Sequence, residues 1–502
     1  MKLFWGDLHN HNSAGYGQGS VTRAAEIARG RLDFWAAVAH AQFHDQPVGH
    51  TTSGFGERVA GGVARAGQQW AEMQRIVQDS YVPGRFVSLL GYEWQSVRYG
   101  DHVLLYPDAA GPLVHFNEIS ALQAHARAQG ALLIPHHLGY QVPGATGHDW
   151  RTHDPALTPI VEIYSEHGAF ERDRGPYPAV RHSVAGRDTA NCAQSALSQG
   201  QRFGFVASTD DHLGCPGAYP EGLAGIYADD LTRESIWEAL RARRTIAVTG
   251  DRMDTRLYLN GAPLGSALPW SAERRLEVQV TGWDEIDKAE LIKNNQVVQR
   301  FYPSARLAAE WPGRARLRIE FGWGEWLPSR ELAVRPWKMQ LELIGGRITE
   351  AMPCFRSRPF DENDRPGITA LDSQRCAWEA LTAQRFAQDG VQCFEDSNCQ
   401  GLALEIVGPP ETRLTLQLDR PVQKRVVTTL GELALGSRLE SLGLPRGEWV
   451  VLHRLVLPHE YRLAGEVTDS QPSQHADYYY LRTTQANGQM AWTSPIWVEA
   501  PQ

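Results

Sequence analysis

Lysine is nearly missing from this chain. Among 502 residues there are five lysines against 44 arginines, and none lies between Lys2 and Lys288. That gap excludes a P-loop lysine, a Schiff-base lysine and a carbamylated metal-bridging lysine from the first half. An anionic group bound there must be held by arginine, histidine, backbone N–H groups or metal ions. Positive charge is also short overall, since the formal net charge is −9. Non-specific nucleic-acid binding, which needs a basic footprint, is therefore not expected. No apolar run approaches the roughly 18–20 residues of a membrane span. Met1-Lys2-Leu3-Phe4-Trp5 leads straight into Gly6-Asp7-Leu8-His9, so no signal peptide is expected there and the cytoplasm is the expected location. The six cysteines form no CxxC pair, so unpaired thiols are expected, with Cys393 and Cys399 able to bridge only in an exported protein. A Gly-x-Ser-x-Gly elbow and the zinc-deaminase Pro-Cys-x-x-Cys signature are both absent, which removes two further catalytic classes.

Histidine is what the chain has instead, and it is unevenly spread: 15 of the 18 fall within the first 212 residues. In that half, short apolar runs alternate with helical stretches. The runs are Leu3–His9, Phe34–His40, Phe86–Glu93, His102–Tyr106, Leu132–His136, Ile160–Tyr164 and Phe203–Asp210, and the helices are 20–31, 57–79, 117–129, 188–199 and 232–243. Asn117 and Thr232 are read as N-caps and Gly130 as a helix end. Strands alternating with helices imply a parallel sheet, most simply a barrel, over residues 1–250. From 251 to 502 the pattern turns to strand alternation, with Asn260-Gly261 and Asn487-Gly488 as tight turns. That half reads as an all-β, sandwich-like domain with a helix at Ala377–Gln388 and an irregular insertion around 350–400.

Nearly every metal-ligating side chain falls at the C-terminal end of an apolar run, where barrel enzymes gather their chemistry. His9 and His11 share a face by period two, and Asp210 and His212 repeat that geometry. Glu93 closes an apolar strand, and a carboxylate there costs several kcal/mol unless paired. Two cations would pair it, which makes Glu93 the expected bridging ligand; an arginine such as Arg98 is the alternative. His40, His102 and His136 complete the expected ligands. His44 looks peripheral, and His137 should point away from His136 and face the second shell or the substrate. Glu162 or His167 is expected near the site.

As a set these residues resemble the PHP (polymerase and histidinol phosphatase) superfamily. The phrases Trp5-Gly6-Asp7-Leu8-His9, Gly91-Tyr92-Glu93-Trp94, Ile134-Pro135-His136-His137 and Glu162-Ile163-Tyr164-Ser165 are similar to a branch joining a PHP-like domain to a C-terminal β domain. The ending Ala491-Trp492-Thr493-Ser494-Pro495-Ile496-Trp497 shares that likeness. The resemblance implies a distorted (β/α)7 barrel with two or three divalent metals, zinc, manganese or iron. It implies His9, His11, Glu93 and Asp210 at one metal, Glu93, His102 and His136 at a second, and His40 and His212 at a third. Many members carry a further histidine soon after the first pair, but Asn12-Ser13-Ala14-Gly15-Tyr16-Gly17 has none. The expected activity is metal-dependent hydrolysis of a phosphoester or similar small anionic substrate. In it Asp210 takes a proton from water, and His137, His167 or His212 donates one to the leaving group. Arg98, Arg172, Arg174, Arg181 and Arg187 are candidates to grip the anion. Hydrolysis of a carboxyl ester, lactone or amide, and a non-catalytic metal-stabilised binding role, are the alternatives. A homo-oligomer is left open.

Overall fold

Strands β1 (Lys2–Asp7), β2 (Phe34–Phe43) and β3 (Val87–Gln95) lie side by side and parallel, as the alternation of apolar runs and helices requires. The computed structural model describes every residue except 47–53, 143–144, 178–186, 304–310, 323–333, 384–397, 445–446, 472, 474 and 501–502. β2 and β3 are buried along their whole length on both faces, which is why they read as continuous apolar runs. On one face Trp35 and Ala37 pack under the helix Phe55–Ser80 through Trp70 and Met73. On the other, Val38, Leu89, Val103, Ile134, Ile160 and Val206 form a separate inner core. The functional side chains are rooted at one end of that inner face.

Beyond β3 the parallel pattern breaks. β4 (His102–Tyr106) runs antiparallel to β3, and β5 (Leu132–Pro135) antiparallel to β4. β6 (Ile160–Ser165), β7 (Gly168–Ala169) and β8 (Gly204–Ala207) form a three-stranded sheet of their own, with β6 and β8 parallel. β9 (Leu223–Ala228) adds antiparallel to the free edge of β1, and β10 (Thr245–Val248) adds to β9. The two sheets meet where the Leu133 N–H donates to Leu157 O at 2.8 Å. They meet again beyond the ends of β1 and β8, where Asp210 N–H donates to His9 O at 2.8 Å and His11 N–H to Asp211 O at 2.7 Å. Over residues 1–250 the architecture is thus mixed α/β and dominated by sheet, with β1–β10 divided between two ladders.

Local signals set most helix ends. Ser20 and Thr232 cap their helices through Arg23 N–H and Ser235 N–H, and Gly130, at φ 63°, ends Ile119–Gln129. The N-cap of that last helix is Glu118, not the expected Asn117, whose Oδ1 accepts from Gln42 Nε2.

Two five-stranded sheets face each other in the second half. One contains Arg314–Gly322 and Cys399–Val407, the other Arg335–Ile344 and Arg413–Arg420, and Trp337, Trp378, Leu341 and Leu404 fill the space between them. Strands Arg347–Cys354, Gly367–Leu371 and Arg375–Thr382 occupy much of the interval expected to be irregular. The expected helix at Ala377–Gln388 is corrected over its described part. Residues 377–382 are strand, because Cys376, Trp378, Ala380 and Thr382 alternate into the sandwich core and pair with Arg335–Ile344; tertiary pairing outweighs the local helix propensity. The rest of that segment, and Cys393, lie outside the described residues.

The chain's final strands return to the first sheet. Met490–Thr493 pairs with β10, just before the expected boundary at 250, and with Asp477–Gln485. Asn487-Gly488 makes the turn between these two strands, and Asn260-Gly261 the turn after Asp254–Leu259. Cys192, Cys215, Cys354 and Cys376 are free thiols. Among the described residues no helix is long and apolar enough to cross a membrane.

Candidate metal centre

Period-two geometry decides which side chains reach the inner face. His40 pairs across the sheet with Glu93, so both stand on the face that carries Val38 and Leu89. β4 runs the other way, so its start rather than its interior lies at the same edge. There Asp101, two residues before Val103, points to the centre, while His102 pairs with Trp94 and Pro135 on the opposite face. His102 accordingly has its Nδ1 3.0 Å from Gly100 O and its ring against His148 at 5.1 Å. It belongs to none of the ligand groupings found among the described residues. His102, expected as a ligand, thus stands outside the cluster, and Asp101 takes the inward place; the uniformly apolar run after His102 gave the sequence reading no alternation from which to tell the two apart.

The remaining expected ligands converge. Glu93 Oε1 lies 2.9 Å from His136 Nε2, and Glu93 Oε2 lies 3.4 Å from both His11 Nε2 and His40 Nε2. Asp210 Oδ1 lies 3.3 Å from His9 Nε2 and 3.2 Å from His11 Nε2. Asp210 Oδ2 lies 3.1 Å from His137 Nε2 and 3.1 Å from His167 Nε2. His212 joins His11 and His40 in a further group and is the most open member, with its side chain 22% exposed. Glu162, which with His167 was expected near the site, accepts from His9 Nδ1 at 3.1 Å. This carboxylate–imidazole arrangement fixes the tautomer that leaves Nε2 free to ligate.

His137 departs from its expected direction. Adjacent strand residues face opposite ways, yet the His136 and His137 rings are 4.5 Å apart and both point inward. The backbone at His137 is left-handed, φ 54°, which turns the side chain back toward the centre, and Asp210 has the same conformation at φ 55°. Non-glycine residues held there cost of order 1–3 kcal/mol each and concentrate at functional sites.

Residues around the centre hold it in place. Asp7, from the Trp-Gly-Asp-Leu-His phrase, is fully buried and accepts from Thr209 Oγ1 at 2.6 Å and from Gly217 N–H at 3.0 Å. It thereby ties the Asp210 loop to the end of β1. In the stretch after the first histidine pair, Tyr16 stacks on His40 with ring centroids 3.5 Å apart, and its N–H donates to His40 Nδ1 at 3.4 Å. Arg58 and Arg65 grip the carbonyls of Tyr16 and Gly15. The expected anion-gripping arginines have other partners: Arg98 pairs with Glu118, Arg172 with Glu171, and Arg174 and Arg187 with Asp173. Arg181 lies outside the described residues. His44 stands off, 6.1 Å from Trp94.

The donor set fits divalent metal ions. His40 Nε2 and Glu93 Oε2 are buried without a hydrogen-bond partner, yet they face each other across 3.4 Å. Leaving such atoms unsatisfied costs about 1–3 kcal/mol each, and a cation between nitrogen and oxygen donors satisfies both. Burial pushes Glu93 up to about 7 although His11 pulls it down. Burial holds His9 and His40 well below the usual histidine range and His136 at about 4, so these rings are neutral and ready to ligate. Burial would raise Asp210, but His9, His11, His137 and His167 hold it well below the carboxylate range. Burial also opposes charge on His137 and His212, yet hydrogen bonds to Asp101 and Asp210 carry His137 up to about 10, and Glu166 carries His212 up to about 9.

A pH dependence follows. Below their raised values Glu93, His212 and His137 hold protons that an incoming cation must displace. Metal affinity is expected to rise with pH from about 6 to 9 and to release protons, measurable by calorimetry in buffers of different ionisation enthalpy. Equal affinity at both ends of that range would contradict the assignment.

Comparison with known proteins gives limited likenesses. The family described as "Protein of unknown function (DUF3604)" matches residues 217–266. An uncharacterized protein of Chlamydia trachomatis is 24% identical over 327 residues, covering 60% of this chain and 49% of its own length. One from Chlamydia muridarum is 26% identical over 255 residues, covering 46% and 40%. The chain thus spans less than half the length of these curated relatives. Among solved structures, a two-domain protein from Bacteroides vulgatus containing a predicted PHP-like metal-dependent phosphoesterase covers 85% of this chain and 95% of its own. It does so at 11% identity and a TM-score of 0.34.

Proposed function

We propose that the chain is a metal-dependent hydrolase of a phosphoester or similar small anionic substrate. The observation that carries this reading is the carboxylate of Glu93. Its Oε1 lies 2.9 Å from His136 and its Oε2 3.4 Å from His11 and His40, as a ligand bridging two ions requires. His9, His11, His40, Glu93, Asp101, His136 and Asp210 would hold two or more divalent ions, with imidazole and carboxylate suiting zinc, manganese or iron. Such ions supply Lewis acidity and lower the pKa of a water toward ~7. We read the two ladders as halves of a distorted (β/α)7 barrel, with a division near residue 250 between it and the β-rich remainder.

The chain's own residues divide the other tasks. Four imidazoles keep Asp210 anionic, which favours ligation over the expected proton uptake. His212 is partly open to solvent, and its Nδ1 lies 3.4 Å from Glu166 Oε1. That placement suits transfer of a proton to a departing alcohol. Burial of the other imidazoles excludes bulk water from the reacting side.

The test is turnover by the metal-loaded chain on phosphomonoesters and phosphodiesters beside carboxyl esters and lactones. Phosphoester hydrolysis that a chelator abolishes and added metal restores is the expected result. Turnover confined to carboxyl esters would move the chain to an amidohydrolase-like role, and none on any substrate at full metal content would favour binding without catalysis.

A further inference from the structure

We propose a further divalent cation position on the Oδ2 side of Asp210, held by His137 and His167. It lies outside every ligand set implied by resemblance and rests on the reading of the site as a metal centre. Three observations support it. First, the His137 and His167 Nε2 atoms both lie 3.1 Å from Asp210 Oδ2, and the three ligand atoms fall within 4.8 Å of one another. Bonds of about 2.0–2.1 Å around a tetrahedral ion separate neighbouring ligands by roughly 3.3 Å, so the three atoms surround a point of the right size.

Second, each imidazole is fixed from behind through its other nitrogen. Tyr140 Oη lies 2.6 Å from His167 Nδ1, and Thr146 Oγ1 and Asp101 Oδ2 lie 3.2 and 3.4 Å from His137 Nδ1. Metal-bound histidines are held in this way, with the distal nitrogen on an oxygen and the other facing the ion. Third, His137 and Asp210 both adopt the left-handed backbone, and their side chains meet. In the extended conformation His137 would point away from its neighbour's face. Asp210 then serves two ions as Glu93 does, with Oδ1 toward His9 and His11 and Oδ2 toward this second compartment. The competing occupant is a proton, which would make His137 an imidazolium between Asp101 and Asp210.

The experiment loads the full-length chain with Zn2+ after metal removal and counts bound equivalents in wild type, His167→Gln, Tyr140→Phe and Glu93→Gln. Folding is checked by circular dichroism. The expected result is one equivalent fewer in His167→Gln. Tyr140→Phe, which removes only the hydroxyl behind His167, should keep every equivalent but bind one of them about 10–100-fold more weakly in competition with a chelator. Unchanged stoichiometry and affinities in both variants, with equivalents still lost in Glu93→Gln, would overturn this position alone. Wild type without bound Zn2+ would overturn the whole centre. Should His167→Gln fail to fold, Tyr140→Phe decides: wild-type affinity for every equivalent overturns the proposal.

Discussion

Replacing Glu93 by glutamine is expected to strip the centre of at least one metal equivalent and to lower hydrolysis by roughly 10³-fold or more, about 4 kcal/mol of transition-state stabilisation. The amide preserves the shape of the side chain but removes the charge shared among His11, His40 and His136. It also places an N–H donor where a cation would bind. The stability signature is more diagnostic than the rate. Burial raises the Glu93 carboxyl to about 7 in the metal-free protein. A raised acid contributes stability below its unfolded value that is lost as pH climbs through the folded one. Near pH 8 the metal-free glutamine variant should therefore unfold no earlier than metal-free wild type, and somewhat later if anything. In the metal-loaded state the order reverses, because only wild type gains from binding. Thermal unfolding with and without metal separates the two; a loss of stability in both states alike would mean that Glu93 is a structural carboxylate.

Asp251→Ala is expected to be the most damaging change outside the centre. Asp251 is fully buried just after β10. It accepts from Arg318 Nη2 at 2.7 and 2.9 Å, from Gln485 Nε2 at 2.7 Å, from Asn487 Nδ2 at 2.8 Å and from Tyr219 Oη at 3.0 Å. Those partners come from the sandwich strand Arg314–Gly322, the hairpin that closes the large sheet and the loop after β8. Removing the carboxylate leaves the Arg318 guanidinium buried, with Asp284 only at 3.8 Å. Breaking a buried pair from one side costs about 3–5 kcal/mol. Because the bond joins the sandwich to the metal-bearing half, calorimetry should show an earlier, separate transition for the sandwich in place of one cooperative event. Replacing both partners by apolar residues, as in Asp251→Leu with Arg318→Met, should recover much of the loss. Unfolding of Asp251→Ala indistinguishable from wild type would show that this pair is not what couples the sandwich to the metal-bearing half.

The sequence made the centre legible where strand polarity was regular. His9, His11, His40, Glu93, His136 and Asp210 all lie at or just beyond the end of an apolar run, and all reach one cluster. It misled where polarity reversed. His102 and Asp101 are neighbouring candidates: the antiparallel direction of β4 brings its start to the site, and the register, with Val103 on the inner face, turns Asp101 rather than His102 inward. His137 was hidden for a different reason, since a left-handed backbone at a non-glycine residue leaves no local mark in composition. Glu166, which stands behind His212, lay in a segment already singled out but could not be told from its neighbours by pattern. In the fold, the sandwich strands and the Asn-Gly turns were visible through period-two alternation. The addition of β9 to β1 and of β10 to β9, and the return of Met490–Thr493 to β10, were not. The pairings of β9 with β1 and of Met490–Thr493 with β10 join residues more than 200 positions apart, and no local window carries them.

The most direct test is the metal content of the purified full-length chain, expressed and then reconstituted with manganese, iron and zinc all available. Two or more equivalents per chain is the predicted result, because Glu93 and Asp210 each present two oxygens to separate sets of imidazoles. A chain that stays at zero or one equivalent after reconstitution would contradict the multinuclear centre on which the proposed hydrolysis depends.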